Sequence, residues 1–399
     1  MAHSKLTLFS TPAILLLTLS LFLVFMTANA TTPLYTYWQT YMHYSTGGLS
    51  IIFISYNIGV MAALFLVRHA QQSHNIKRLL AMALIGTIIA ILLFIYARHF
   101  WQLLLARFIV GLSCGTFVSC GTSLILKIGL KQQIHQTPLF VTLACVFGFG
   151  IGPFYAGIFV DYVHNPVSTI FIPLLFLILL CFLILLRCKT DERPHLSQQQ
   201  AQENSQTPHN YPMAFVSTAL FAGPFALAGL FISLGPSMMI QTMHTHSHTL
   251  IGSIILLLFG CGVVSQLILK NHSVSRQILI GVVTSFLGGT CILVAEVNHW
   301  EMLMILAAIL IGVAQSMTQL AGTHLIKQFQ PMGTLQRSTS TFFFGGYLMV
   351  ALSIVTMGWV SNRLGIVDGS IVFLYLCFML IAAGTGGYIL LHRQESFGK

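Results

Sequence analysis

The sequence predicts an all-α membrane protein of twelve transmembrane helices arranged as two six-helix halves. Three observations carry this. Twelve apolar runs punctuate the 399 residues, each long enough to cross a hydrocarbon core of about 30 Å as a helix. Hydrophobic residues make up 56% of the chain and charged residues 7%, with a mean hydropathy of +0.85, which leaves too little polar surface to cover a soluble globule. Threaded with both termini in the cytoplasm, the chain places 15 of its 18 Lys and Arg on the inner side, leaving Arg98 and Arg363 outside and Arg107 within the membrane. The net charge of +10 is this same bias facing anionic headgroups, and it calls for no nucleic-acid partner.

The first half, residues 1–188, holds runs at 8–30, 48–67, 79–97, 101–126, 138–160 and 168–187. The first follows Lys5 and ends on Ala28-Asn29-Ala30, which has the look of a cleavage site. The run is longer than a usual signal core and is read as a span. Asn29, Thr31, Thr32, Pro33, Tyr35 and Tyr37 close it with polar groups, and the second run adds Tyr56 and Asn57. The loop after the second run ends in Lys77 and Arg78. The fourth run starts at Trp101 and carries Arg107, the one charged side chain well inside a span, roughly 9 Å from its start at 1.5 Å per residue. A buried Arg costs about 2.5–3.5 kcal/mol on insertion scales, so it is expected to face a cavity, an acidic partner or the headgroups rather than lipid. Gly111, Gly115 and Thr122 follow on much the same face. The fifth run carries Gly148, Gly152 and Ala156 at four-residue spacing, with Pro153 and Gly157 beside them, and ends at Asp161. Small residues at that spacing let two helices approach closely, and Pro153 removes one helical hydrogen bond.

Residues 189–211 are hydrophilic, with Gln198-Gln199-Gln200 and two prolines, and read as a cytoplasmic linker. The second half, residues 212–399, holds runs at 213–240, 249–269, 277–296, 300–326, 339–360 and 368–391. After its first run, His244, His246 and His248 alternate in an outer loop and are weak candidates for sharing a metal. Gln315 and Gln319 share a face of the tenth span and are costly to leave in lipid. Weak correspondences between the halves, a basic loop after the second span of each and a glycine near the middle of the fourth (Gly111 and Gly312), fit two repeats facing a midplane site. All eight cysteines lie within spans or at their cytoplasmic ends, so a disulfide framework is not expected.

The stretch Leu104-Leu105-Ala106-Arg107-Phe108-Ile109-Val110-Gly111, with Gly115, resembles the fourth-span motif of the major facilitator superfamily, and GFGIGPFYAG from Gly148 to Gly157 resembles the fifth-span motif of its antiporter branch. The stretch Ala222 to Pro236 is similar to bacterial members of the superfamily. The resemblance implies alternating access, drug or metabolite efflux coupled to protons, and a bacterial inner-membrane location. It also implies a role for Arg107 in proton coupling or solute contact, and one for Gly148, Gly152, Pro153 and Gly157 as a bent, closely packed helix that limits leak. The loop after the second span departs from the family pattern, since only its basic end is present.

None of the eight acids lies in mid-span, and Asp161 and Glu296 at span ends are the nearest candidates for a proton site. Arg107, Asn29, Tyr56, Asn57, Gln315, Gln319 and Asp161 are the candidate solute and proton pathway. The expected partners are a small-molecule substrate, protons and the bilayer, with no cofactor, and the chain is expected to act as a monomer. There is no nucleotide-binding glycine loop and no soluble domain large enough for an active site, so an enzyme is not expected. The leading function is a secondary transporter exporting a small organic solute or drug by proton antiport. The alternatives are a facilitator or importer of a polar solute, an exporter of a siderophore-like metal-chelating metabolite, and a non-transporting sensor.

Overall fold

The computed structural model describes residues 11–70, 76–134, 136–188, 211–245, 247–329 and 335–397, and these form helices with no strand among them. The helices are α1 (Thr11–Asn29), α2 (Leu34–Met42), α3 (Thr46–Ala70), α4 (Ile76–Ile95), α5 (Phe100–Thr116), a π-turn (Phe117–Gly121), α6 (Thr122–Lys131), α7 (Thr137–Tyr162) and α8 (Pro166–Arg187). After the linker, which lies outside the described residues, follow α9 (Tyr211–Ser233), α10 (Gly235–Met243), α11 (His248–Leu269), α12 (Val274–Asn298), α13 (Glu301–Phe329), α14 (Leu335–Leu364) and α15 (Ile366–Phe397). Twelve stretches among the described residues are long and apolar enough to span a membrane, from Pro12–Met42 to Ile366–Leu391.

Two of the expected runs differ in shape from the sequence reading. The first span does not stop near residue 30: it turns at residues 30–33 and continues as α2, so the span is Pro12–Met42. The run expected at 213–240 is two helices, with the break at Leu234 before Gly235 and Pro236. In both places a proline sits at the start of the second helix, where its missing N–H and fixed φ suit a helix start and not a helix interior. The two short helices are nine residues each and both end on a histidine in the left-handed conformation, His43 (φ 53°) and His244 (φ 46°). The fourth span is continuous but widened by its π-turn, where the hydroxyls of Thr122 and Ser123 donate to the carbonyls of Val118 and Ser119 and compete there with the backbone N–H groups.

The chain divides into two compact units: Met1–Tyr44 with Ile51–Ser197 and Ser247–Leu256, and Ser45–Ser50 with Gln198–His246 and Leu257–Lys399. In the first, α1 packs on α7 and α4 packs on α5 and α8. Its aromatic core runs from Trp38 to Phe94 (5.9 Å between ring centroids) and on to Phe171 (5.1 Å), both pairs stacked. α3 crosses α5 at glycines: a Cβ on Gly59 would overlap the carbonyl oxygen of Phe108, and one on Gly111 that of Tyr56. In the second unit, α12 packs along α13, and α9 is enclosed by α13, α14 and α15. Phe221 stacks on Phe342 at 4.6 Å and on Phe225 at 4.7 Å. The glycine crossing recurs there, with Gly312 against the carbonyl of Leu258. Side chains such as Leu180, Leu183, Ile268 and Leu390 are exposed along the outside of their helices, as a surface solvated by lipid requires.

Because the Gly111 crossing leaves no room for a side chain, Gly111→Leu is expected to cost about 1–3 kcal/mol and to lower the apparent melting temperature in detergent by several degrees. Gly260→Ala, whose added Cβ meets nothing within 4 Å, is expected to leave it unchanged or slightly raised.

Candidate functional site

The first unit buries a cation. α5 starts at a capping box in which the Gln102 side chain accepts from the backbone N–H of Arg98 (2.7 Å) and His99 (2.9 Å). Two turns further along, Arg107 is 1% exposed. Its acceptor is made by the break after α1. Pro33 has no N–H to give the helix end, the N–H of Thr32 turns to the carbonyl of Asn29 (3.0 Å), and the carbonyl of Ala28 is left for side chains. Arg107 Nη1 donates to it at 2.6 Å and Thr31 Oγ1 at 2.8 Å. Arg107 Nη1 also donates to Thr31 Oγ1 (3.2 Å), which lies 3.2 Å from the Tyr35 hydroxyl. A helix C-terminus is the negative end of its dipole, so it suits a guanidinium.

Three rings complete the pocket: the guanidinium carbon lies 4.8 Å from the ring centre of Tyr56, 5.5 Å from that of Tyr35 and 5.9 Å from that of Phe53. Cation–π contacts of this kind contribute about 2 kcal/mol when desolvated. The positive charge is therefore held by neutral groups. The one ion pair among the described residues is His248 with Asp161, and Arg107 Nε has no hydrogen-bond partner. The hydroxyls of Thr27 and Thr32, buried on the same stretch of chain, have none either.

The remaining candidates distribute as follows. Tyr56 is in the pocket. Asn29 and Asn57 are buried, but each gives its amide to a carbonyl four residues back in its own helix, Phe25 (2.8 Å) and Phe53 (3.4 Å). In the second unit, Gln315 Nε2 donates to Gln319 Oε1 at 2.8 Å, so the pair binds itself across one helical turn. Also there, Glu296 is 3% exposed, with one oxygen accepting from Ser370 Oγ at 3.0 Å and the other without a partner. Tyr44, between the first and second spans, donates its hydroxyl to the carbonyl of Tyr35 (2.7 Å), and burial pushes its phenol up.

The fifth-span residues act at two contacts of the first unit. Gly148 and Gly152 lie against α1, where a Cβ would come within 2.5 Å of Phe25 Cβ and 2.8 Å of the Met26 carbonyl oxygen. Gly157 lies against the backbone of His248, and Gly252 of α11 reciprocates, 2.6 Å from the Pro153 carbonyl oxygen on the same measure. Asp161 ends this helix and receives four donors: Ser247 Oγ (3.0 Å), His248 N (2.9 Å), Thr249 N (2.8 Å) and His248 Nδ1 (2.9 Å). Where they are described, the alternating histidines make separate contacts. His248 belongs to the first turn of α11 and pairs with Asp161, whereas His244 lies against His299 with the rings tilted and their centroids 5.1 Å apart, and His246 lies outside the described residues. No sequence signal pointed to the pairing of Asp161 with a histidine 87 positions away, nor to Thr31 and the Ala28 carbonyl as the partners of Arg107.

Twelve apolar helices among the described residues define a polytopic membrane protein. The chain belongs to the Major Facilitator Superfamily, which matches residues 17–354. No curated protein matches it by sequence. Solved structures with the same fold include a POT family transporter in complex with 5-aminolevulinic acid (12% identity, TM-score 0.74, covering 99% of both chains). They also include a D-xylose-proton symporter (12%, 0.73, 93% of this chain and 96% of that one) and the nucleoside transporter NupG (12%, 0.68, 95% and 98%). At this identity the likeness concerns the fold.

The two threonines of the pocket separate its working contacts from its unpaired ones. Thr31→Val removes a hydroxyl bonded to Ala28 and Arg107 and is expected to lower stability by about 1 kcal/mol. Thr32→Val removes a buried hydroxyl with no partner and is expected to be neutral or stabilising; thermal unfolding in detergent reads both.

Proposed function

We propose that the protein is a secondary transporter that exports a small organic solute bearing an anionic or zwitterionic group, by proton antiport and alternating access. In this reading it acts as a monomer in a bacterial inner membrane with both termini cytoplasmic, and its two functional halves are residues 1–188 and 212–399. The observation that carries the substrate class is Arg107, a buried guanidinium with an unpaired Nε and only neutral partners. A desolvated cation so placed gains most from an anionic ligand, since a charge-assisted hydrogen bond is roughly twice as strong as a neutral one. The direction rests on the fifth-span sequence from Gly148 to Gly157. Its resemblance to the antiporter motif is matched by a helix packed on α1 and on the start of α11, as a leak-limiting element requires. The D-xylose-proton symporter, the nucleoside transporter NupG and the POT family transporter named above share the fold and support a small polar solute as cargo.

A second reading, a facilitator, is favoured by the acids. The five described ones, Asp161, Glu296, Glu301, Asp368 and Glu395, all lie in the first or last turns of their helices, so among the described residues no carboxylate stands in mid-span to carry a proton.

Reconstituted vesicles decide between the readings. With a panel of radiolabelled carboxylates, amino acids and cationic drugs, uptake driven by an acid lumen is expected, because protons leave as solute enters. Uptake driven by an alkaline lumen would mean symport, and gradient-independent flux a facilitator. Arg107→Met, an apolar replacement of similar length, is expected to keep the melting temperature within a few degrees and to lower uptake of the transported anion about thirty- to a hundredfold.

A further inference from the structure

The Asp161 carboxylate at the start of α11 makes no contact with Arg107, and the assignment of an anionic solute does not use its hydrogen bonds to α11. Its carboxylate sits at the N-terminus of a 22-residue helix, where two backbone N–H groups and the helix dipole favour negative charge. An ionised carboxylate only accepts hydrogen bonds, so His248 Nδ1, 2.9 Å from Asp161 Oδ1, carries a proton. The other ring nitrogen, Nε2, lies 3.0 Å from Thr36 Oγ1. That hydroxyl has a second neighbour, the carbonyl oxygen of Pro33, also at 3.0 Å.

One hydroxyl proton therefore has two acceptors, and the ring has two compatible states. When Thr36 donates to Nε2, the imidazole is neutral. When Thr36 donates to Pro33, its oxygen faces Nε2 with a lone pair, and the ring can hold a second proton as imidazolium. Switching needs only a rotation of the Thr36 hydroxyl and no movement of heavy atoms. Histidine is the side chain whose ordinary titration falls between about pH 5 and 8. The two side chains are 19% and 14% exposed, so a proton from water reaches them.

We propose that His248 is a proton-binding site, set between Asp161 and Thr36, that strengthens the docking of Ser247–Leu256 on the rest of the first unit when it is charged. The proton comes from the aqueous side that the Lys and Arg distribution assigns to the outside. It adds to the Nε2 lone pair and leaves as hydronium, with no other bond made or broken. The sign follows from the charges: an imidazolium against a carboxylate binds more tightly than a neutral ring does, so docking is firmer when the ring is charged and weaker when it is neutral. Protonation of Asp161 would act in the opposite sense, removing the helix cap.

The surroundings leave this pair in control. α7 carries Cys145, Tyr155, Asp161 and Tyr162 as its titratable groups, α2 carries Tyr35, Tyr37 and Tyr41, and α11 carries His248 and Cys261. None of the three helices has a Lys or Arg. In the neighbouring turns His43, His164 and His244 are all on the exposed surface.

Hydrogen exchange on the full-length protein in vesicles, at external pH of about 5.5 and about 8, reads the docking directly through peptides covering Ser247 to Ile254. After correction for the intrinsic pH dependence of exchange, the wild type is expected to be roughly three- to tenfold better protected in acid. His248→Gln keeps a donor for Asp161 but no charge, and is expected to lose this difference. Asp161→Asn is expected to be poorly protected at both pH values. Thr36→Val removes the acceptor for the second proton and is expected to shrink the acid response while the cap remains. An unchanged pH response in either His248→Gln or Thr36→Val, or no response in the wild type, overturns the proposal. None of these readings depends on the solute, so they stand or fall separately from the export reading.

Discussion

A guanidinium buried without a carboxylate is the constraint on which the first unit depends. Arg107 is 1% exposed, and an uncompensated charge in the membrane interior is tolerated only where backbone carbonyls, rings or water replace its hydration. The chain meets this need with a helix end. Pro33 interrupts the first span, the carbonyl of Ala28 is freed from the helical ladder, and Arg107 and Thr31 both bond to it. The rings of Tyr35, Phe53 and Tyr56 lie near the rest of the cation. A break in one helix thus provides the partner for a charge on another, and the pocket is a consequence of the two together.

The small residues serve a related end. Between helices surrounded by lipid, apolar side chains gain little by facing each other rather than the acyl chains, and close backbone approach supplies the packing instead. Gly59 against Phe108 and Gly111 against Tyr56 fix α3 on α5, which holds Tyr56 at the height of Arg107. The fifth-span glycines do the same for α1 and for the first turns of α11. Electrostatics and packing converge at both places, the Arg107 pocket and the Asp161 cap.

Much of the architecture was legible in composition and charge: an apolar run of some twenty residues has few fates besides a spanning helix, and the membrane family followed from Arg107 with Gly111 and from the Gly148 to Gly157 stretch. The breaks after Asn29 and at Leu234 were less visible, because the residues on either side are apolar and a hydropathy run passes through them. Prolines 33 and 236 were the signals that could have found them. The partners of Asp161 had no signal. Its acceptor role depends on backbone N–H groups and on a histidine that reads as part of a polar loop, and hydrogen bonds between residues 87 apart leave no periodicity in a single sequence. Gln315 and Gln319 were legible as a pair sharing a face, but not as donor and acceptor to each other.

The central claim is that Arg107 is a charged group whose neutral surroundings leave it available to an anion. Thermal unfolding of the purified protein, with matched carboxylates and their uncharged amides at equal concentration, tests it most directly. The account predicts that some carboxylates raise the melting temperature of the wild type, that the corresponding amides do not, and that Arg107→Met, though folded, responds to neither. Equal shifts from carboxylate and amide, or shifts preserved in Arg107→Met, would contradict it.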